Sequence, residues 1–369
     1  MKIAYFTHSL RSCWNHGNAH FLRGVLSELV ARGHDVEAFE PAGAWSLTNL
    51  LKDHGEDATQ AFDRLYPEIR STAYSDNADM AELVDQADLV IVHEWNEPWL
   101  VAALGLLRRR GGRFLLLFHD THHRAVSAPE EMRAYDLEQY DGVLAFGEAI
   151  SEIYRGCGWS DRVFTWHEAA DIRRFHPPAE ECHREGLIWI GNWGDGERSE
   201  ELADFLLRPA REAGLPLDIY GVRYPEHAKR KLSEYGARYH GWISNAAAPE
   251  AFSRHLATVH VPRRYYMQLL PGIPTIRIFE ALACGIPLVS APWSDSEALF
   301  RVGEDFLMVS DREEMTRVLM QLKGDRGLRQ SLVASGLDTI RTRHTCAHRA
   351  EELMNIYATL RTHAEAVAA

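Results

Sequence analysis

The sequence predicts an α/β protein built from two doubly wound parallel-sheet domains, and three observations carry that prediction. Short β-rich apolar runs alternate with segments of helical period along nearly the whole chain. The alternation breaks once, at the polar, proline-containing stretch DIRRFHPPAEE (171–181), and then resumes. The 369 residues suit two domains at roughly 100–200 residues each.

Taken in order, KIAYFTHS (2–9) reads as a buried parallel strand, followed by a Gly- and Asn-containing loop to Asn18. A helix follows, with Phe21, Leu22, Val25, Leu29 and Val30 at helical spacing and Gly33 as its stop. DVEAFEP (35–41), ADLVIVHEW (87–95), GRFLLLFHD (112–120) and DGVLAFG (141–147) continue the strand series, with helical segments between. Past the break, LIWIGN (187–192), LDIYGV (217–222), ARYHGWI (237–243), ATVHVP (257–262), IPLVSA (286–291) and FLMVSD (306–311) form a second series. The tail, 312–365, reads as helical. Strands alternating with helices imply right-handed βαβ units and parallel sheets. We therefore place an N-terminal domain at 1–172, a C-terminal domain at 179–345, and a helix at 346–369 that returns to the N-terminal domain. Two doubly wound domains facing a central cleft would bind their ligands at the carboxyl ends of their strands, so function is sought in the loops that follow strands.

Composition excludes several classes. No apolar run approaches the ~20 residues of a membrane span, and the N-terminus enters a strand with no leader-like region. Five scattered cysteines without CxxC spacing fit a cytoplasmic protein rather than a disulfide or zinc scaffold. A net charge of −13 argues against general nucleic-acid binding. Residues 1–150 hold 13 basic against 23 acidic side chains, whereas 251–350 hold 13 against 10, so the C-terminal half is the better host for an anion. The run LLRRRGGR (106–113) is consistent with peripheral membrane contact at most, since arginines at a helix C-terminus also suit the dipole.

Candidate residues follow from these loops. Gly17 and Asn18, in the loop after the first strand, would let backbone amides approach an acceptor. His119 and Asp120 end a central strand and are candidates for contact with reacting groups, while Glu94 and Glu97 are strand-end carboxylates able to bind hydroxyls or serve as a base. His119, His122 and His123 lack the spacing of a metal site, and no metal ligand set is expected. In the second half, Gly191, Asn192 and Arg198 belong to a glycine-rich loop entering a helix, and Arg263, Arg277, Glu280 and Gly285 lie in VPRRYYMQLLPGIPTIRIFEALACGIPLVSAPW (261–293). An arginine fork matches a phosphate, and a carboxylate near a helix start can accept from a ribose diol.

Several segments resemble the group 1 glycosyltransferases of GT-B architecture: LVARGHDVEAF, LLLFHD, DIRRFHP and RIFEALACGIPLVSA, in that order. TIRIFEALACG and TRHTCAHRAEEL (342–353) resemble the CgeB-like branch. The resemblance implies two Rossmann-like domains and a nucleotide-sugar donor held by the C-terminal one. Glu280 would contact the ribose, the backbone around Gly285 would lie near the donor, and His119 would approach the transferred sugar. It further implies an acceptor on the N-terminal domain, no divalent metal or other cofactor, and retention at the anomeric carbon. Three departures stand out. Gly272 occupies the position eight before Glu280 where the family carries a glutamate, Gly191-Asn192 replaces Gly-Arg, and Arg198 is the nearest substitute for a missing lysine. They leave open two rival readings, a sugar-nucleotide epimerase and a catalytically degenerate binding or scaffold subunit.

Overall fold

The computed structural model describes residues 1–180, 182–194 and 196–368. It divides into two compact units, Met1–Glu168 with Cys346–Ala369, and Ala169–Thr345. Unit 1 contains seven strands: β1 (Lys2–Phe6), β2 (Asp35–Pro41), β3 (Arg70–Tyr74), β4 (Leu89–His93), β5 (Leu115–Asp120), β6 (Gly142–Ala145) and β7 (Val163–Thr165). They form one parallel sheet in the order β3-β2-β1-β4-β5-β6-β7. The central strands β4, β5 and β6 are buried along their whole length, which is why they read as continuous apolar runs rather than alternating ones. β3 and β7 escaped the sequence reading for the opposite reason: RSTAY is a largely exposed edge strand, and VFT is three residues at the other edge.

The helix Ala19–Ala31 buries Phe21, Leu22, Val25, Leu26 and Leu29 and packs against the final helix, Cys346–Ala368. Trp166 ties the same helix down from within unit 1 by donating Nε1–H to the Arg349 carbonyl at 2.9 Å.

Unit 2 contains β8 (Leu187–Ile190), β9 (Leu217–Tyr220), β10 (Arg238–Gly241), β11 (Ala257–His260), β12 (Leu288–Ser290) and β13 (Leu307–Met308). They form a parallel sheet in the order β10-β9-β8-β11-β12-β13. Its core runs from Leu187, Trp189 and Ile219 through Val259 and Val289 to Met315, Leu319 and Leu322 on the helix Arg312–Gly324.

Both sheets reverse strand order once, between β1 and β4 in unit 1 and between β8 and β11 in unit 2. Loops leaving the carboxyl ends of such strands diverge and open a crevice, the usual ligand position in doubly wound sheets. Among the described residues no helix is long and apolar enough to cross a membrane.

Candidate functional sites on the two sheets

In unit 1 the parallel register sets His93 beside His119 and Asp120 beside Ala145. His119 is fully buried, 4.8 Å ring to ring from Trp166, and its Nδ1 hydrogen-bonds the Tyr5 hydroxyl at 2.5 Å. Its Nε2 has no partner. Burial pushes the imidazole down to about 3, so it is neutral. His93 Nε2 meets Thr121 Oγ1 at 3.0 Å. Beyond β1, the His8 and His16 rings lie tilted against each other at 4.2 Å, and His8 lies 5.9 Å from His93. Burial lowers His8 to about 4 and lowers His16 and His93 as well, with neighbouring histidines adding to the effect on the latter two. Among the described residues His8 Nδ1 has no hydrogen-bond partner, while the His16 ring lies against the Ser9 and Ser12 backbone.

The acidic residues are spoken for. Glu94 accepts from the Thr121 amide at 3.0 Å and from Arg124 Nε at 3.1 Å and Nη2 at 3.0 Å. Asp120 accepts from the His122 amide at 3.0 Å and the Tyr154 hydroxyl at 2.9 Å. Burial, and for Glu94 the charge of Asp120, raises both carboxyls. Two buried acids facing one guanidinium retain a proton between them near neutrality.

These contacts correct three expectations from the sequence. Glu94 does not offer hydroxyl-binding oxygens, because Arg124 folds back over β4 and takes them. His119 and Asp120 lie under the face rather than on it, because the helix Ala19–Ala31 supplies Phe21 against the His119 ring. Glu97 stands exposed at the N-cap of the helix Pro98–Arg109, apart from His119 and Asp120. Gly17 and Asn18 do enter the helix Ala19–Ala31 from the β1 loop, with Gly17 accepting from His20 Nδ1 at 3.3 Å. The sequence reading missed His8, His16 and His93. The signal was there in His8, which follows β1 directly at the switch point.

Unit 2 presents the opposite chemistry at the same topological place. Gly191 and Asn192 follow β8, and the Gly191 carbonyl accepts from the Tyr224 hydroxyl at 2.8 Å. Gly221 passes so close that a Cβ there would sit 2.1 Å from that oxygen. Arg198 is buried and its Cζ lies 5.1 Å from the Trp189 ring. It donates to the Val261 carbonyl at 3.1 Å, the Asn192 carbonyl at 2.9 Å and Asn192 Oδ1 at 3.0 Å, while Nε has no partner. Among the described residues no carboxylate pairs with it. Burial, then the charge of Arg263, lowers it to about 9, still protonated at neutral pH.

Arg263 shares Asn192 Oδ1 at 3.1 Å and pairs with Glu197. Arg277 pairs with Glu280, which is fully buried in the helix Ile276–Ala283. His260, at the end of β11, bonds Ser290 Oγ at 2.8 Å and Thr275 Oγ1 at 3.0 Å, and burial with nearby arginines pushes it down to about 3. Gly285 is a further correction. It lies past the C-terminus of that helix, packed against Pro177 and Leu337 at the amino edge of β12, because the helix runs back across the sheet. At Gly272, where the resemblance led to a glutamate, the Glu297 side chain occupies the space: a Cβ would lie 2.7 Å from its Oε1.

Family models match both halves of the chain: Glycosyltransferase Family 4 over residues 17–174, and Glycosyl transferase-like over 198–355. The chain is a GT-B glycosyltransferase. Solved structures bear out the fold. HepE from Anabaena, in complex with UDP and glucose, superposes on the enzyme with a TM-score of 0.67 at 13% identity, covering 97% of this chain and 100% of that one. Sucrose-phosphate synthase from Thermosynechococcus elongatus gives 0.64 at 15%, covering 98% and 99%. The T4 phage β-glucosyltransferase with UDP-glucose gives 0.60 at 15%, again covering 98% and 99%. No protein of curated function matches the enzyme in sequence. Among its described residues no group of three His, Cys, Asp or Glu side chains is arranged to hold a metal ion.

Proposed function

We propose that the enzyme transfers a sugar from a uridine-diphosphate sugar held by unit 2 to an acceptor held by unit 1. The observation that carries this is Arg198, a buried guanidinium whose hydrogen bonds among the described residues go to carbonyl and amide oxygens, within the field of Arg263 and Arg277. A buried charge held by neutral oxygens is costly, and a bound anion relieves that cost. The diphosphate is that anion, and the UDP complexes of similar structures make uridine the first base to test.

In this reading Arg198 fixes the Gly191–Arg198 loop and supplies charge, while Arg263 exchanges Glu197 for phosphate oxygens. Glu280, held by Arg277, accepts from the ribose hydroxyls. Negative charge grows on the leaving diphosphate as the bond to the sugar breaks, and fixed guanidinium groups stabilise it without a metal. Retention at the anomeric carbon, which rests on the group 1 likeness, and a place in the CgeB-like branch, which rests on the segments TIRIFEALACG and TRHTCAHRAEEL, belong to the same proposal.

The test is a melting screen against the nucleoside diphosphates and their glucose, galactose and N-acetylglucosamine esters. A ligand at about 100 times its Kd adds ~2.7 kcal/mol of stability, and uridine compounds should give that shift selectively. Arg263→Ala should lower UDP affinity about tenfold or more, the loss of a charge-assisted contact. A cooperative melt that no nucleoside diphosphate moves would end the donor reading.

A further inference from the structure

We propose that the acceptor is an uncharged saccharide, stacked on the exposed tryptophans Trp45 and Trp95 at the carboxyl edge of the unit 1 sheet. This rests on the transferase reading above and names the acceptor's chemistry.

Two groups of rings border the switch point of unit 1. Trp45 starts the helix Trp45–His54 and is 53% exposed. Its ring is held edge to face against Trp14 at 5.0 Å, and buried Trp14 is pinned by its Nε1–H to Asp53 at 3.0 Å. Ser46, next in sequence, is bonded to Ser12 Oγ at 2.9 Å and the Trp14 carbonyl at 2.6 Å, so the helix start and the β1 loop form one piece. The same loop carries His8 and His16, whose rings lie 4.2 Å apart, and Trp95, after β4, lies 6.3 Å from His8. Trp95 is 42% exposed although the Arg124 guanidinium lies 4.3 Å and the His122 ring 5.0 Å from its ring.

Two half-exposed tryptophans, each immobilised by its neighbours, are a cost in water that a bound partner recovers. A pyranose is suited to them: its C–H face is apolar and weakly positive, and an aromatic face is apolar and negative. Its hydroxyls need both donors and acceptors. Neutral imidazoles provide one of each, and among the described residues His8 Nδ1 and the Thr7 hydroxyl have no partner.

Charge rules against an anionic acceptor. Arg11 is taken by Glu40, and Arg124 by Glu94 and the Tyr135 hydroxyl. Residues 1–150 carry ten more acidic than basic side chains. DNA, on which one similar structure is described as acting, or a phosphorylated lipid surface would meet repulsion.

The experiment titrates the full chain, without donor, with short malto-, cello-, manno- and chito-oligosaccharides, read by tryptophan fluorescence and saturation-transfer NMR. At least one series binds. Trp45→Ala and Trp95→Ala each weaken it about tenfold, equivalent to ~1.4 kcal/mol, Trp45→Phe retains most of the affinity, and UDP binding is the same in all. The proposal is overturned if no member of the panel binds to a chain that still binds UDP, or if both alanine variants bind as the parent does. Binding of duplex DNA or anionic vesicles in place of the oligosaccharides overturns it equally. Oligosaccharide binding by a chain that ignores every nucleoside diphosphate would remove the donor reading and leave this one standing.

Discussion

The two sheets share one topology and carry opposite chemistry at their carboxyl edges. In unit 1 the switch-point loops bring together neutral imidazoles, protonated or ion-paired carboxyls and tryptophans. In unit 2 the same loops bring together three guanidinium groups around Asn192 and Glu280. Nothing in a doubly wound sheet demands either set, since the fold supplies the position and the loops supply the chemistry. On this contrast rests the proposal of an anion on one face and a polyhydroxyl compound on the other.

The comparison breaks most directly at Arg198. Arg198→Met keeps the stem over Trp189 and removes three hydrogen bonds to carbonyl and amide oxygens. Charged hydrogen bonds are worth roughly 1.5–3 kcal/mol each and do not sum fully, so unit 2 should lose ~2–4 kcal/mol in denaturant melts. UDP affinity by calorimetry should fall about a hundredfold, with oligosaccharide binding to unit 1 intact. Unchanged UDP affinity would mean that the cationic face is structural and the contrast carries no functional meaning.

A smaller effect separates the faces by pH. Unfolded imidazole titrates near 6.5, whereas His8 and His119 in the folded unit titrate near 4 and 3. Between those values the unfolded chain binds more protons, so stability falls as pH drops from about 6.5 towards 4, by ~1.4 kcal/mol per unit for each such histidine. The raised Glu94 and Asp120 act in the opposite sense, taking up a proton on folding in the same range, and offset part of that loss. Unit 1 has four buried, lowered histidines in or beneath its face and unit 2 has His260. Hydrogen exchange at pH 5 against pH 7.5 should therefore loosen β1, β4 and β5 well before β8 and β11. Equal loosening would show that burial does not hold the unit 1 imidazoles neutral.

How much of this the sequence disclosed depends on what kind of signal each feature leaves. Buried central strands such as LVIVH and LLLFHD announce themselves, because both faces of a parallel sheet are covered. Edge strands such as RSTAY do not. Candidate residues on the loops after strands were legible from strand ends alone, Asn192, Arg198 and Arg263 among them. Their partners were not. That Arg124 returns over Glu94, that Glu97 faces solvent, or that Gly285 falls at the far end of its helix depends on helix direction and side-chain reach, which motif order does not encode.

The smallest expected effect tests how tightly the unit 2 face is packed. Gly272 has φ +85° and its missing Cβ would lie 2.7 Å from Glu297 Cγ and Oε1. Gly272→Ala therefore meets a conformational cost of ~1 kcal/mol and a steric cost of ~1–2 kcal/mol. Glu297→Ala removes the side chain that causes the second but leaves the first. In a double-variant cycle on melting free energies, Gly272→Ala should cost ~1 kcal/mol less in the Glu297→Ala background than alone. Full additivity would show that the Glu297 side chain moves aside freely and that the face is looser than its contacts imply. Strong coupling would place a fixed carboxylate beside the loop that leads to Thr275 and Arg277, giving the cationic face one acidic group held in place by packing.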